Sequence, residues 1–266
     1  MTRLPFDQYL AHLDTESRRF RDVLADCDPT SRVPSCPDWN AADLLWHLGA
    51  EVHGFWAWVI SHRPRHPREG YEEPARPASY DDLLALYDEQ SAALVSALRD
   101  ADPADEAFSW APEQTVGFTF RRQAHEALIH RVDAEQTAGT SSPLDPALAA
   151  DGIDEVLGVM YGGSPSWGTF HGLPHHLRID ATDTGTSTWV QLGRFSGTDP
   201  GSGTVYDEED IAVVDDPGTE PDAVISGAAD VLLLRFWRRG DGAETHLAGN
   251  LEIVDHFRRI THQPIT

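Results

Sequence analysis

The apolar pattern of this chain changes period once, near residue 140, and that change limits the architecture more than any single motif. Before it, apolar residues recur at helical spacing; after it, they alternate or run over strand lengths between turn residues. Leu10, Leu13, Phe20 and Leu24 predict an amphipathic helix from Phe6 to about Ala25, ended by Asp28-Pro29-Thr30. The proline-rich loop Val33 to Trp39 leads into Asn40, an N-cap with Asp43 at the third helical position of a second helix, Ala41 to about Ser61. His62 to Pro77 reads as a proline-rich loop, and Ser79 caps a third helix from Asp81 to about Asp100 with the apolar stripe Leu84, Tyr87, Leu94, Val95, Leu98. Phe108 to Thr119 reads as a turn, and a fourth helix follows from about Phe120 to Thr137. Four helices joined by loops predict a four-helix bundle.

The second half has strand signals at residues 176–182, 188–192, 211–214 and 223–227. A short helix from Pro146 to about Met160 and the glycine-rich stretch Tyr161 to Ser166 precede them. Ala228 to Arg239 reads as a helix whose Val231-Leu232-Leu233-Leu234 run is buried on the sheet; Thr245 to Ala248 as a short strand or loop; Leu251 to Thr261 as a closing helix. Trp189, Phe236 and Trp237 are expected in the core. The overall expectation is an α+β protein, a bundle over residues 1–142 and a smaller α+β domain over 143–266, divided where Ala138 to Pro143 has linker composition.

Charge narrows the partners. Twenty basic residues, all arginine, face 44 acidic ones, and the formal charge of −24 argues against nucleic acid or an anionic membrane as the main partner. A small-molecule substrate is expected instead. No apolar run approaches the ~20 residues of a membrane span, and Met1 to Asp7 lacks the apolar core of a signal peptide, so a cytoplasmic location is expected. Cys27 and Cys36 are too few for a disulfide framework and lack zinc-knuckle spacing; they read as structural thiols, and thiol chemistry here would use a thiol brought by a small molecule.

The stretch Arg121 to Ala134 carries the candidate chemistry. Glu126 and His130 stand one helical turn apart on one face, with Cβ atoms about 5–6 Å apart, close enough to share a small cation. Ala127, Leu128 and Ala134 surround the pair, and a carboxylate facing a core needs a partner to offset its desolvation. A solvated helix-face pair is the plain alternative. A catalytic divalent site takes about three protein ligands and keeps a position open, so a third is needed. His47, in Leu44-Leu45-Trp46-His47-Leu48, supplies it if the second and fourth helices face each other, although a lone histidine among apolar neighbours is often a satisfied core residue. Glu51, one turn on, is the rival ligand; Glu51 and His53 read as supporting or surface groups, and His125 points elsewhere.

Together these residues suggest a family. Pro34-Ser35-Cys36-Pro37-Asp38-Trp39, Asp43 to Leu48, Arg122-Gln123-Ala124-His125-Glu126 and His130-Arg131-Val132-Asp133-Ala134 resemble the mycothiol-dependent maleylpyruvate isomerase family. Ala223 to Leu234 and Leu247 to Leu251 look like that family's C-terminal domain, which is similar to sterol carrier proteins. The resemblance implies a DinB-like bundle holding a divalent metal, commonly zinc, through a His, a Glu and a His, carried over onto His47, Glu126 and His130. Arg122 and Asp133 match positions beside those ligands, as supporting groups or as a plain helix-face pair or cap. The resemblance implies an enzyme using mycothiol or another small thiol, as a cis-trans isomerase or an S-transferase. A metal-dependent hydrolase, or a non-enzymatic small-molecule binder with a structural metal, are the other readings. The family's C-terminal domain contributes an arginine to activity, which Arg235, Arg238 and Arg239 could each match. No oligomeric state follows from the sequence.

Overall fold

Asn40 shows how closely local sequence sets the bundle. Its side chain accepts from the Asp43 amide while Asp43 accepts from the Asn40 amide, a reciprocal cap that starts α2 (Ala41–Trp46). In the computed structural model, residues 3–66 and 70–263 are described; Met1 and Thr2, and residues 67–69 of the loop expected over 62–77, lie outside them. From α2 the helix runs on as a π-helical stretch, His47–Gly54, and then as α3 (Phe55–His62). The single helix expected from Ala41 to Ser61 is therefore one rod whose middle third is wound wider. Gly49 suits that segment's approach to α4 (Tyr80–Arg99): a Cβ there would stand 3.1 Å from Tyr87 Cδ2.

The first compact unit spans Leu4–Pro143. It contains α1 (Phe6–Ala25), α2 with its π and α3 continuations, α4, and α5 (Val116–Thr137). Helix α5 starts four residues before the expected Phe120, because Thr115 caps it by accepting from the Phe118 amide. Leu13, Phe20, Leu24, Leu44, Leu45 and Leu94 are completely buried, and each such side chain contributes roughly 1.5–3 kcal/mol by leaving water.

Polar groups reach into this unit too. Arg131, 2% exposed, donates to Glu16 at 2.7 Å and to Glu135 at 3.0 Å, clamping α5 to α1. Gly139 (φ 68°) ends α5, and the Thr140 amide returns to the Glu135 carbonyl at 2.8 Å. Ser142 gives both its amide and its hydroxyl to the Glu135 carboxylate. Of the linker-like residues 138–143, those near its end are thus tied to α5.

The second unit runs from Leu144 onward. Its sheet has the order β3-β2-β1-β4-β5, with β1 (Gly168–Ala181), β2 (Thr186–Thr198), β3 (Val205–Val214), β4 (Ala223–Gly227) and β5 (His246–Gly249). Neighbours are antiparallel except β1 and β4, which are parallel. The first three strands extend well beyond the expected segments, because the β1–β2 ladder continues past an irregularity between Gly172 and His176 into a more exposed ribbon. Helix α6 (Pro146–Glu155), a second π-helical stretch (Val156–Tyr161), α7 (Ala229–Phe236) and α8 (Leu251–Thr261) complete it. Of the run expected on the sheet, Leu232 and Leu233 are buried and Val231 and Leu234 are half-buried; α7 packs chiefly against α6. The molecule is α+β, a helical bundle followed by a sheet domain.

Candidate functional site

Helix α5 is buried along nearly its whole length, and that burial decides how its charged residues behave. Glu126 is half-buried with its carboxylate set between two cations. Arg122 Nη2 stands 3.3 Å from Oε1, and His130 Nε2 stands 3.2 Å from Oε2, each one turn away. Burial alone would raise this carboxyl, but Arg122 and then His130 outweigh it and hold Glu126 well below the usual carboxylate range.

His130 is fixed from its other side. Asp133, completely buried, faces His130 Nδ1 at 3.0 Å and accepts from Ser35 Oγ at 2.5 Å. Burial would lower this imidazole, yet the hydrogen bonds to Asp133 and Glu126 prevail and push it up to about 9. The carboxylate on Nδ1 turns Nε2 toward Glu126, the arrangement by which a carboxylate fixes the tautomer of a ligating histidine.

Ser35 comes from the loop before α2, a compact knot. Val33 donates to the Trp39 carbonyl at 3.0 Å, Trp39 to the Cys36 carbonyl at 2.9 Å, and Arg32 Nε to the Pro37 carbonyl at 2.8 Å. The knot also lays Trp39 against His47, ring centroids 4.7 Å apart. His47 opens the π-helical stretch, and its ring meets that of His130 edge-on at 5.1 Å. Glu51 Oε2 takes His47 Nδ1 at 2.7 Å, while Glu51 Oε1 accepts from Trp46 Nε1 at 3.1 Å. Burial, and then the neighbouring His130, pull the His47 imidazole below its ordinary value, so it is neutral at pH 7. With Nδ1–H given to Glu51, Nε2 carries the lone pair.

The structure thus gathers His47, Glu126 and His130 at one place and puts Glu51 behind His47. His53 is not a surface group. It is fully buried, 5.7 Å ring to ring from Tyr87, and burial pushes it down to about 3. His125 is buried edge-on to Tyr9. Asp133 and Arg122 stand against His130 and Glu126 respectively. Ser35, which sequence reasoning left without a role, is the residue it missed; its place in the Pro34 to Trp39 motif was the available signal.

Among the described residues, no three His, Cys, Asp or Glu side chains are gathered tightly enough to hold an ion as they stand. The donor set nonetheless suits a divalent cation. Two ligands 2.0–2.1 Å from a tetrahedral ion lie about 3.3 Å apart, close to the 3.2 Å between Glu126 Oε2 and His130 Nε2. Both histidines already have Nδ1 on a carboxylate, which leaves Nε2 as the ligating atom.

Residues 10–135 match the profile of the mycothiol maleylpyruvate isomerase N-terminal domain. The match spans most of the bundle. Two solved structures share the whole fold: the crystal structure of the mycothiol-dependent maleylpyruvate isomerase, at 15% identity and TM-score 0.56, and that of its histidine-to-alanine mutant, at 14% and 0.57. Each alignment covers 93% of this chain and 96% of the other. At such identities the likeness speaks for the fold, a maleylpyruvate isomerase bundle followed by a sheet domain. No curated protein matches the sequence.

Proposed function

We propose that this chain is a metal-dependent enzyme that uses mycothiol or another small thiol as nucleophile, with His47, Glu126 and His130 as the ligands of one divalent ion, most simply zinc. The observation that carries this reading is the chain Ser35 to Asp133 to His130, which aims Nε2 at Glu126, where a cation would replace the proton the two share. The family match over the bundle supports the thiol and the isomerase chemistry. A bound divalent ion supplies positive charge that favours a thiolate over a thiol.

The chain's own residues prepare for that charge. Arg122 keeps Glu126 ionised, and Glu51 and Asp133 fix the two imidazoles, so little reorganisation remains when a ligand arrives. As an isomerase, the enzyme would let thiolate add across a conjugated cis double bond, allow rotation about the resulting single bond, and expel the thiolate to give the trans product. As an S-transferase, it would release the adduct. The α+β architecture has no helix among the described residues long and apolar enough to cross a membrane, which accords with a cytoplasmic, small-molecule role.

The test combines metal analysis with turnover. Purified protein should carry about one divalent ion per chain and should convert maleylpyruvate, or a member of a panel of conjugated electrophiles, only when mycothiol is added. Metal-dependent hydrolysis without thiol would replace this reading with the hydrolase, and a tightly held metal with no turnover of any kind would favour the binding protein.

A further inference from the structure

Beside the histidine cluster the bundle holds a cavity of about 580 Å3, lined by Glu51, Phe55, Trp56, Tyr71, Glu73 and Trp110. Among the described residues its walls are aromatic and the charges on them are negative, those of Glu51 and Glu73. Phe55 meets Tyr71 edge-on at 5.3 Å, and the Tyr71 hydroxyl donates to the Ala50 carbonyl at 3.2 Å, so these rings are fixed in place. Trp56 is 7% exposed and stacks on Phe108, closing the inner side.

Two of the lining residues are not explained by packing. Trp110 leaves 52% of its surface in water, although it is steadied by an edge-on contact with Phe118 at 5.7 Å. Glu73 is exposed and has no cationic partner among the described residues. Glu51 is oriented by Trp46 and His47, with its carboxylate at the border between the cavity and the site.

We propose that this cavity binds an organic cation, an ammonium group seated between the faces of Trp110, Tyr71 and Phe55 with Glu73 and Glu51 as counter-charges. Aromatic faces attract cations through their negative quadrupole, and they attract quaternary ammonium groups most usefully when several rings converge. Two carboxylates in the wall repel a carboxylate or phosphate ligand, and a neutral apolar ligand would gain nothing from them. The inference goes beyond the thiol and metal reading and does not depend on it, because Glu51 belongs to the cavity whether or not an ion sits on His47. Since Glu51 touches His47 at 2.7 Å, the cation would mark one end of a small molecule whose other end reaches the histidines.

The probe is choline, compared with its neutral carbon isostere 3,3-dimethylbutan-1-ol, titrated against the full chain by tryptophan fluorescence and calorimetry, after chelator treatment and again with zinc. Choline should bind saturably in both preparations and about 10-fold tighter than the isostere. Trp110→Ala and Glu73→Gln, both at exposed positions and checked for native circular dichroism, should each weaken choline by about 3-fold or more. Equal binding of the two compounds overturns the proposal, as does choline binding unchanged in both variants. Binding seen only with zinc added would also overturn it, since the cavity would then not be the site. These readouts do not use turnover, so failure of the thiol reading leaves them unaffected.

Discussion

Asp133 stands 3.0 Å from His130 Nδ1 and is itself completely buried, so the imidazole is held by a carboxylate that has no contact with solvent. Replacing Asp133 with Asn keeps the shape and removes the charge. The expected result is a 10–100-fold loss of zinc affinity with the fold retained, the usual effect of removing a group that orients a ligating histidine. Competition against a chromophoric chelator measures it, and unchanged affinity would show that His130 is not a ligand.

The ligand set itself separates by substitution. His47→Ala, Glu126→Ala and His130→Ala should each abolish stoichiometric metal, whereas Glu51→Ala should lower affinity while leaving the ion bound, since Glu51 holds His47 from behind. Elemental analysis of the four purified variants decides between Glu126 and the rival Glu51.

The nucleophile should come from outside the protein. Burial, and then Asp26, push the Cys27 thiol up, opposite to the direction an activated thiol needs. Cys27→Ala/Cys36→Ala should retain metal and thiol-dependent turnover, with a stability loss of roughly 1–2 kcal/mol. Turnover lost while metal and fold persist would assign the nucleophile to the protein.

Arg131 is expected to be the costliest single substitution in the bundle. Arg131→Met leaves the buried Glu16 without its cation and Glu135 with Arg19 alone, and breaking a buried pair in this way costs about 3–5 kcal/mol. Urea unfolding measures the loss. A cost below about 1 kcal/mol would mean that Arg19, which also reaches Glu135 at 2.9 Å, takes over.

In the sheet domain, burial pushes the Asp210 carboxyl up to about 6 despite its bonds from the Ile211 amide and Ser164. The folded value lies above the unfolded one, so the folded state binds more protons between about pH 4 and 6. Stability from this group is full below about pH 4 and is lost as pH rises through about 6. Asp210→Asn should therefore stabilise the protein by about 1–2 kcal/mol at pH 7.5, discounted for partial solvation, and by nothing near pH 4. Thermal melts at the two pH values check the sign.

What the sequence by itself determined is what short-range periodicity controls. The first helix and the last, Phe6–Ala25 and Leu251–Thr261, span the residues that their apolar stripes predict, the last one also capped by Asn250. The change of period near residue 140 separates bundle from sheet, and the one-turn spacing of Glu126 and His130 puts both on one face of α5 within reach of each other. The tertiary structure decided everything that joins distant segments. Ser35 meets Asp133 across 98 residues of chain, and no local pattern records such a pairing because its geometry comes from how the loop knot packs on α5. The widened turns of His47–Gly54 likewise read as ordinary helix in sequence and take their form against α4. His53, polar in sequence and fully buried in the fold, shows the same limit: side-chain chemistry gives a residue's preference, whereas packing of the other helices decides which side of the bundle it faces.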